Sequence, residues 1–310
     1  MMPRWDVLGI GAVAVDDLLY LDGYPAPDSK MRVCEELRQG GGLAGTALVA
    51  AARLGARVAY IGVLGDDELS RFTLAEFAAE GVDCTPVRFM AAARPYHSVI
   101  LVNRLTGERT ILSSNAGVVR PRPAEISPAL IADCRVLFVD GTVGPAALRA
   151  AELAHEWGAP VVADLERITA GVPELMARVD HLIVGTAFAA KITGADRPAE
   201  MARRLAQPGQ AACIVTAGDA GCWYVAGGRG EVRRHPACRV QTVDTTGCGD
   251  VFHGAYAAAL ARGYDVAAAV SVATVAAGLK VTQPGGRRGI PDWATVERYL
   301  HENPFDRDAI

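Results

Sequence analysis

Short runs of apolar, often β-branched residues alternate with Ala- and Leu-rich stretches along nearly the whole chain. The apolar runs predict buried strands at residues 7–10, 58–61, 136–139, 161–163, 182–184 and 213–215. Helical spacing of the apolar positions predicts helices at residues 43–54, 68–80, 145–157 and 198–205. This alternation is typical of a mostly parallel sheet covered by helices on both faces. Active sites of such sheets lie at the carboxyl ends of the strands.

A hairpin pattern interrupts the alternation at about residues 88–115. Polar and apolar residues alternate through 97–102, a turn at Gly107 follows, and the chain returns through 109–112. These residues fit either an ordinary antiparallel edge of the large sheet or part of a small β lid. A lid of this kind would exclude water from an active site.

A second interruption, about residues 15–38, contains turn residues followed by a β-like tail at 30–37. We expect this segment to contribute to the same lid. The exposed face of a lid can pair with a second copy, so a homodimer through the lid is one hypothesis. We expect a single domain over residues 1–310 with the two segments inserted, because neither a linker nor a repeat is evident.

The composition of the chain limits the classes of function that it can have. The chain has 310 residues, of which 51% are hydrophobic and 21% charged, which is enough apolar surface for a large core. A net charge of −4 gives no reason to expect a nucleic acid or an anionic membrane as partner. The seven cysteines are scattered without a Cys-x-x-Cys pair, which argues against a zinc site and a disulfide framework. With no signal-like or membrane-spanning run, we expect a soluble, cytoplasmic protein.

The strongest chemical signal lies at residues 244–254, which read Asp-Thr-Thr-Gly-Cys-Gly-Asp-Val-Phe-His-Gly before a helix-like run. Glycines on both sides of Cys248 let backbone N–H groups turn toward one point, and a helix that begins there favours an anion. Asp250 places a carboxylate beside that point. A base next to an anion hole is what phosphoryl transfer needs. Taken alone, Gly-x-Gly-Asp fits a tight turn with an Asp near the N-cap equally well.

The full string resembles the C-terminal signature of the ribokinase-like sugar kinases, also called the phosphofructokinase-B family. The resemblance implies a three-layer α/β/α fold with a β lid, and ATP- and Mg²⁺-dependent phosphorylation of a primary hydroxyl of a sugar. It implies that Asp250 is the catalytic base and that Gly247, Cys248 and Gly249 donate backbone N–H groups to the phosphate. Thr246 and Gly249 would also contact the nucleotide. The family usually has Ala at position 248, and a reactive thiol there would make the enzyme sensitive to oxidants.

A glycine-rich stretch at residues 40–47 resembles the family's N-terminal signature, together with residues 52–56 and 62–67 downstream. Alone it would fit a flexible loop equally well. The resemblance implies that Gly41 and Gly42 line the sugar pocket. Where the family commonly has a hydroxyl-binding Asn, this chain has Gly45, so we expect the substrate hydroxyls to be bound by other groups.

Three polar residues are further candidates for the sugar site. Asp16 follows the first strand, where the resemblance implies a carboxylate that holds two sugar hydroxyls; its alternative is a loop carboxylate that caps a turn. Lys30, at the start of the expected lid strand, could bind an anionic group on the substrate or could be solvated surface. Asn115, at the end of the hairpin, is a candidate for a substrate hydroxyl.

Residues 215–221 resemble the family's nucleotide loop, which implies that Thr216 and Gly218 lie along the phosphates and ribose and that Gly221 permits the turn. The adenine would rest between this loop and residues 276–286. The metal site departs from the family, because residues 185–188 read Gly-Thr-Ala-Phe where the family has Asn-x-x-Glu.

We therefore hypothesise that Glu166, at the end of a strand, supplies a carboxylate near Mg²⁺. The family often binds potassium near Asp244, so K⁺ is a further cofactor hypothesis. The C-terminal pattern, with Pro-Gly-Gly-Arg-x-Gly-Ile-Pro-Asp at 284–292, is most similar to the ketohexokinase and sulfofructose-kinase side of the family. A sulfonated sugar is not favoured, because the arginine that this branch uses for a sulfonate is absent near residues 140–142.

Two rival functions remain open at this point. A nucleoside kinase on the same scaffold would stack a base on an aromatic lid residue, for which Tyr96 is the strongest candidate. A catalytically silent sugar- or nucleotide-binding protein would explain the altered metal motif, although such a protein would not need Asp250. We assign His253 to packing or to the surface rather than to acid catalysis.

Overall fold

The structure is a computed structural model that describes residues 3–303 and Phe305. Its strands, in chain order, are β1 (Trp5–Ile10), β2 (Ala14–Leu21), β3 (Glu35–Gly41), β4 (Val58–Ile61), β5 (Val63–Leu64), β6 (Val82–Asp83), β7 (Arg88–Phe89), β8 (Tyr96–Asn103), β9 (Arg109–Ser114), β10 (Cys134–Asp140), β11 (Val161–Asp164), β12 (His181–Gly185), β13 (Ala212–Thr216), β14 (Cys222–Ala226) and β15 (Val232–His235).

The helices are α1 (Leu43–Arg53), α2 (Glu68–Ala79), α3 (Pro128–Ala132), α4 (Pro145–Trp157), α5 (Val172–Met176), α6 (Thr186–Thr193), α7 (Pro198–Leu205), α8 (Cys248–Ala261), α9 (Val266–Lys280) and α10 (Trp293–Glu302). Three short 3-10 turns lie at Pro123–Glu125, Gly141–Val143 and Gly218–Ala220. In the part of the chain that the structure describes, no helix has the length and apolar character needed to cross a bilayer.

The large sheet has nine strands in the order β15-β14-β13-β12-β11-β10-β1-β4-β6, and only β14 and β15 run antiparallel to their neighbours. All six predicted strands lie in it. Its central strands are buried on both faces, which is why they read as continuous apolar runs.

Helices cover both faces of this sheet. Successive residues of β1 show the division, because Val7 packs in the core beneath α1, α8 and α9 while Leu8 packs in the opposite core beneath α4 and α7. Helices α1 and α8 approach so closely that a Cβ built on Gly254 would lie 1.9 Å from the Ala47 carbonyl oxygen. This contact fixes the direction in which α8 leaves the sheet edge. The predicted α/β/α layers are confirmed.

A second sheet, of four strands in the order β3-β2-β8-β9, forms the predicted lid. The predicted hairpin is β8 and β9, and its apolar side contributes Ile100 to a small cluster with Leu18 and Tyr20 of β2. The first lid segment differs from expectation. Strand β3 begins at Glu35 rather than at Lys30. Before it, the chain turns at Ser29, whose hydroxyl donates to the Ala26 carbonyl oxygen, and residues 30–32 stay exposed.

The boundaries of the lid differ from the sequence expectation in two further respects. Asp16 lies inside β2 rather than in a loop after the first strand. Arg88 and Phe89 form β7, which pairs with β5 and not with the lid. The lid part of the second segment therefore begins at Tyr96.

Candidate active site

The start of α8 lies beyond the carboxyl ends of the parallel strands and is the candidate anion site, called the anion site below. Gly247 precedes the helix with φ 70°, a left-handed conformation that favours glycine, and a Cβ there would lie 3.0 Å from the Gly286 carbonyl oxygen. The Cys248 amide donates to the Thr245 carbonyl oxygen and the Val251 amide to that of Gly247. Within the described chain, the Asp250 amide has no carbonyl partner, while the Gly249 amide donates to the Cys248 thiol. The Asp250 amide is therefore available to an anion.

Asp250 is half-buried in the first turn of this helix. Desolvation raises the pKa of its carboxyl well above the usual range, and the negative charges of Asp164 and Glu166 raise it further. A carboxylate with a raised pKa is a better proton acceptor near neutral pH than an ordinary one. The electrostatic surroundings therefore suit a general base.

His253 holds the start of α8 against the sheet. Its Nδ1 lies 2.7 Å from the Gly249 carbonyl oxygen and its Nε2 lies 3.0 Å from the Ile183 carbonyl oxygen. The Asp164 carboxylate lies 3.4 Å from Nδ1. His253 is thus a buried packing residue that joins the start of α8 to β12 and lies beside β11.

Asp244 organises the loop that precedes α8. Its two carboxylate oxygens accept hydrogen bonds from the Thr246 amide at 2.7 Å and the Gly285 amide at 2.8 Å. Burial alone would raise the pKa of Asp244, but these N–H groups and the nearby Lys280 ammonium outweigh it and lower the pKa. The Lys280 Nζ donates to the Asp244 carbonyl oxygen at 2.9 Å. A K⁺ ion at that oxygen would lie against the ammonium and be repelled, so these residues do not fit K⁺ there.

The predicted sugar residues Asp16, Gly41 and Gly42 come together. Asp16 is buried in β2, accepts a hydrogen bond from Ser98, and packs so tightly on β3 that a Cβ on Gly41 would lie 2.0 Å from its Oδ2. Burial raises the pKa of Asp16, and the Ser98 hydroxyl and the Arg287 charge act against this. Gly42 has φ 84° at the start of α1, where a Cβ would lie 2.5 Å from the Ala12 carbonyl oxygen.

Lys30 and Asn115 are placed differently from these three. Lys30 is exposed in the loop between β2 and β3, and Asn115 is exposed just after β9. Within the described chain, neither side chain has a hydrogen bond or ion pair to Asp16. Both belong to lid connections rather than to the glycine-lined floor.

Arg287 is a residue of the site that the sequence did not single out. It is 6% exposed, with Nη1 3.0 Å from Glu76 and Nη2 3.1 Å from the Gly41 carbonyl oxygen, while its Nε has no partner in the described chain. A Cβ on Gly45 would lie 2.9 Å from Nη2. The guanidinium therefore occupies the room that an Asn at position 45 would need. In the sequence, this arrangement is indicated by a glycine at position 45 together with an arginine at position 287.

The nucleotide candidates lie at the end of β13. Thr216 is its last residue, the 3-10 turn that begins at Gly218 follows, and Gly221 has φ 91° with its carbonyl oxygen 2.8 Å from the Ala217 amide. A Cβ on Gly221 would lie 2.1 Å from the His235 carbonyl oxygen, so this turn requires glycine. Across the site, the buried Thr246 hydroxyl has no partner in the described chain.

The described chain has no cluster of three or more His, Cys, Asp or Glu placed to bind a metal. Glu166 is exposed just beyond the end of β11, and the Gly185–Thr186 junction between β12 and α6 offers no carboxylate. Glu166 and Asp164 do act electrostatically on Asp250, so a cation held among them by nucleotide phosphates would relieve their repulsion.

Cys248 is less reactive than the sequence suggested. Burial raises the pKa of its thiol, and the negative charge of Asp250 adds to this, although Lys280 acts against it. A raised pKa keeps the group as a thiol, which is the unreactive form. The expectation of an oxidant-sensitive thiol at this position is not supported by its surroundings.

Comparison with known proteins identifies the class. The family model described as pfkB family carbohydrate kinase matches residues 6–293, so the chain belongs to the pfkB family of carbohydrate kinases. A ribokinase of Haemophilus influenzae is 26% identical over 293 residues, 91% of this chain and 94% of its own length. Fructokinase-1 of Oryza sativa is 33% identical over 237 residues, 69% of this chain and 72% of its own.

A solved structure gives the same fold. The ribokinase of Arabidopsis thaliana complexed with ribose and ATP superposes with a TM-score of 0.83 at 20% identity, covering 97% of this chain and 99% of that one. The family and fold predictions are confirmed. The protein is an ATP-dependent sugar kinase, a phosphotransferase with an alcohol group as acceptor. Its placement on the ketohexokinase and sulfofructose-kinase side stays a prediction.

Proposed function

We propose that Asp250 is the general base of this kinase. The carboxylate takes the proton of a primary sugar hydroxyl, the oxygen forms a bond to the γ-phosphorus of ATP, and the bond to the bridging oxygen of ADP breaks. The observation that carries the proposal is the Asp250 amide, which has no carbonyl partner in the described chain, directly beside a carboxyl whose pKa is raised. The amides of Gly247, Cys248 and Gly249 would also stabilise charge on the transferring group, those of Cys248 and Gly249 by exchanging the Thr245 carbonyl oxygen and the Cys248 thiol for the phosphate.

The sugar, a ketohexose or a related compound, would bind on the floor formed by Asp16, Gly41 and Gly42. A buried carboxylate can accept hydrogen bonds from two adjacent hydroxyls, and the glycines let the ring approach the backbone. Lys30 and Asn115 would contact the substrate only from lid connections that face solvent. They are the weaker members of the proposed set.

The nucleotide would lie along Thr216, Gly218 and Gly221, with its phosphates directed at the Thr246 hydroxyl and Gly249. Mg²⁺, when bound, would neutralise negative charge on the nucleotide phosphates. Glu166 would face this ion from the end of β11, on the side where carboxylates already raise the pKa of Asp250. Glu166→Gln is expected to weaken the magnesium dependence of turnover.

The experiment is a measurement of Mg²⁺-dependent ADP release across ketohexoses, aldoses, sulfosugars and nucleosides, with Asp16→Asn measured in parallel. A sugar-specific signal whose KM rises in Asp16→Asn would support the proposal, because an amide cannot accept from two hydroxyls through both of its polar atoms. A nucleoside-specific signal would contradict the sugar site. Ligand-induced thermal stabilisation without any ADP release would indicate a binding protein instead.

We also propose that the protein is a cytoplasmic homodimer that pairs through the lid. Every residue of β9, the lid's outer strand, is exposed, including Ile111 at 53% and Leu112 at 56%. An exposed strand with apolar side chains is a template for pairing. All seven cysteines are free thiols, as expected in a reducing compartment. Light scattering would measure the molar mass of the native chain and of Ile111→Lys. The proposal predicts a dimer for the native chain and a monomer for the variant.

A further inference from the structure

Lys280 is a fully buried lysine next to the anion site. It is the last residue of α9 and has 0% of its surface exposed. Lysine is almost never buried completely unless its charge has a partner. The acceptor within hydrogen-bond distance of its Nζ is the Asp244 carbonyl oxygen at 2.9 Å. A neutral backbone oxygen as the direct partner of a buried ammonium calls for an explanation.

Asp244 explains why the ammonium binds the backbone oxygen. Both carboxylate oxygens of Asp244 are already occupied by the Thr246 and Gly285 amides. The Asp244 amide itself donates to the Val281 carbonyl oxygen at 3.1 Å, so the residue is tied to the end of α9. The carbonyl is the remaining group of Asp244, and it points into the volume that Lys280 fills.

The ammonium acts on the whole turn that carries the catalytic groups. The negative charges of Asp244 and Asp250 and the Cys248 thiol act electrostatically on Lys280, and Arg109 is the nearby positive group. Burial lowers the pKa of Lys280, while Asp244, Cys248 and Asp250 oppose that change. Lys280 therefore offsets negative charge in the Asp244 loop and at the start of α8.

We propose that the Lys280 ammonium is a fixed, chain-borne cation that holds the Asp244–Gly247 loop in its phosphate-binding conformation in place of a monovalent metal ion. The part of this inference that concerns turnover rests on the proposed function. Its first consequence is that turnover does not need K⁺. Its second is that removal of the charge creates a vacant cation site lined by the Asp244 carbonyl oxygen.

The test uses the full chain as wild type, as Lys280→Met and as Lys191→Met, each in K⁺, NH₄⁺ and choline salts at equal ionic strength. Methionine matches the length of lysine without its charge. Lys191 is an exposed lysine of α6 far from these contacts in the fold and serves as the matched control. The readouts are kcat and KM for the sugar, and the melting temperature without substrates.

Wild type and Lys191→Met are expected to show equal kcat and equal melting temperature in K⁺ and choline. Lys280→Met in choline is expected to lose about 10-fold to 100-fold in kcat, less than the about 100-fold to 1,000-fold for loss of a direct oxyanion-hole donor, because Lys280 acts through the loop; little change in sugar KM is expected. K⁺ or NH₄⁺, but not the bulky choline, is expected to restore part of that loss and to raise the melting temperature of this variant alone.

Strong activation of wild type by K⁺ would overturn the proposal, and that result does not need the variant to fold. A folded Lys280→Met that keeps full kcat in choline, or whose melting temperature ignores K⁺, would also overturn it. The melting readout separates this inference from the proposed function, because it responds to a cation whether or not the sugar substrate has been found.

Discussion

At the scale of single residues, the pairing of Gly45 with Arg287 is the clearest departure from the family pattern. The guanidinium fills the volume beside Gly45 and anchors the Gly41 carbonyl oxygen. These two residues are far apart in the sequence, and no local pattern connects them. Sequence reasoning could therefore note the missing Asn but not what replaces it.

Gly45→Asn is expected to destabilise the protein by about 1–3 kcal/mol, since its Cβ would meet a buried and ion-paired guanidinium. The displaced Arg287 would release Gly41, so KM for the sugar is expected to rise as well. Thermal melting and steady-state kinetics would measure both effects. Gly185→Asn is the control for melting, because a Cβ there meets nothing within 4 Å and its φ of −78° suits any residue. Equal melting of the two variants would contradict this account of Gly45.

The charge on Asp250 is expected to cost stability. Its pKa in the folded state is raised above the ordinary value of 3.8 by desolvation and by Asp164 and Glu166. The folded state therefore binds the proton more tightly than the unfolded state, and stability falls as pH rises from about 3.8 through the raised pKa.

Asp250→Asn removes this titration, so its melting temperature is expected to exceed that of wild type at pH 8, by about 2–4 °C for each 1 kcal/mol regained. The difference is expected to shrink as pH falls. Melting curves of both proteins across pH would measure it. A difference that is independent of pH would show that Asp250 is not under electrostatic strain.

At the scale of elements, the alternation of apolar and polar residues was sufficient to predict the central strands and the lid hairpin. Both have a recognisable local pattern of apolar residues, because burial on one or two faces requires apolar side chains there. The start of β3 was placed too early because residues 30–32 precede the strand in an exposed loop after the turn at Ser29. Pairing with β2 decides that boundary, and pairing is not a local property.

A hydrogen bond from the lid hairpin reaches the loop before α8. Arg109 of β9 donates from Nη1 to the Thr245 hydroxyl at 2.9 Å. Arg109→Gln is expected to loosen the lid, to lower kcat/KM for the sugar by about 10-fold, and to let water compete for the phosphate. The ratio of ADP released to phosphosugar formed would then exceed one.

The control for this prediction is Arg104→Gln. Arg104 lies beside the same hairpin, but its guanidinium faces Asp22 at 3.9 Å and not the anion site. Unchanged coupling between ADP release and phosphosugar formation in Arg109→Gln would show that this contact does not close the lid.

At the scale of the whole molecule, the site is assembled from distant parts of the chain. The lid supplies Asp16 and Gly41, the start of α1 supplies Gly42, and the start of α8 supplies Asp250. The motifs at each of these places could be recognised in the sequence. Lys280 and Asp244, which are 36 residues apart, could not be paired in advance because only the packing of α9 behind α8 brings them together.

The central claim is that Asp250 acts in the chemical step and not in binding. The measurement that tests it most directly is kcat of Asp250→Asn on the identified sugar, with ATP affinity determined by calorimetry on the same protein. We expect kcat to fall by about 100-fold to 10,000-fold, the usual contribution of a general base, while ATP binds as tightly as to wild type or more tightly. Retention of most of the wild-type kcat would contradict the claim, and so would loss of ATP binding in parallel with turnover.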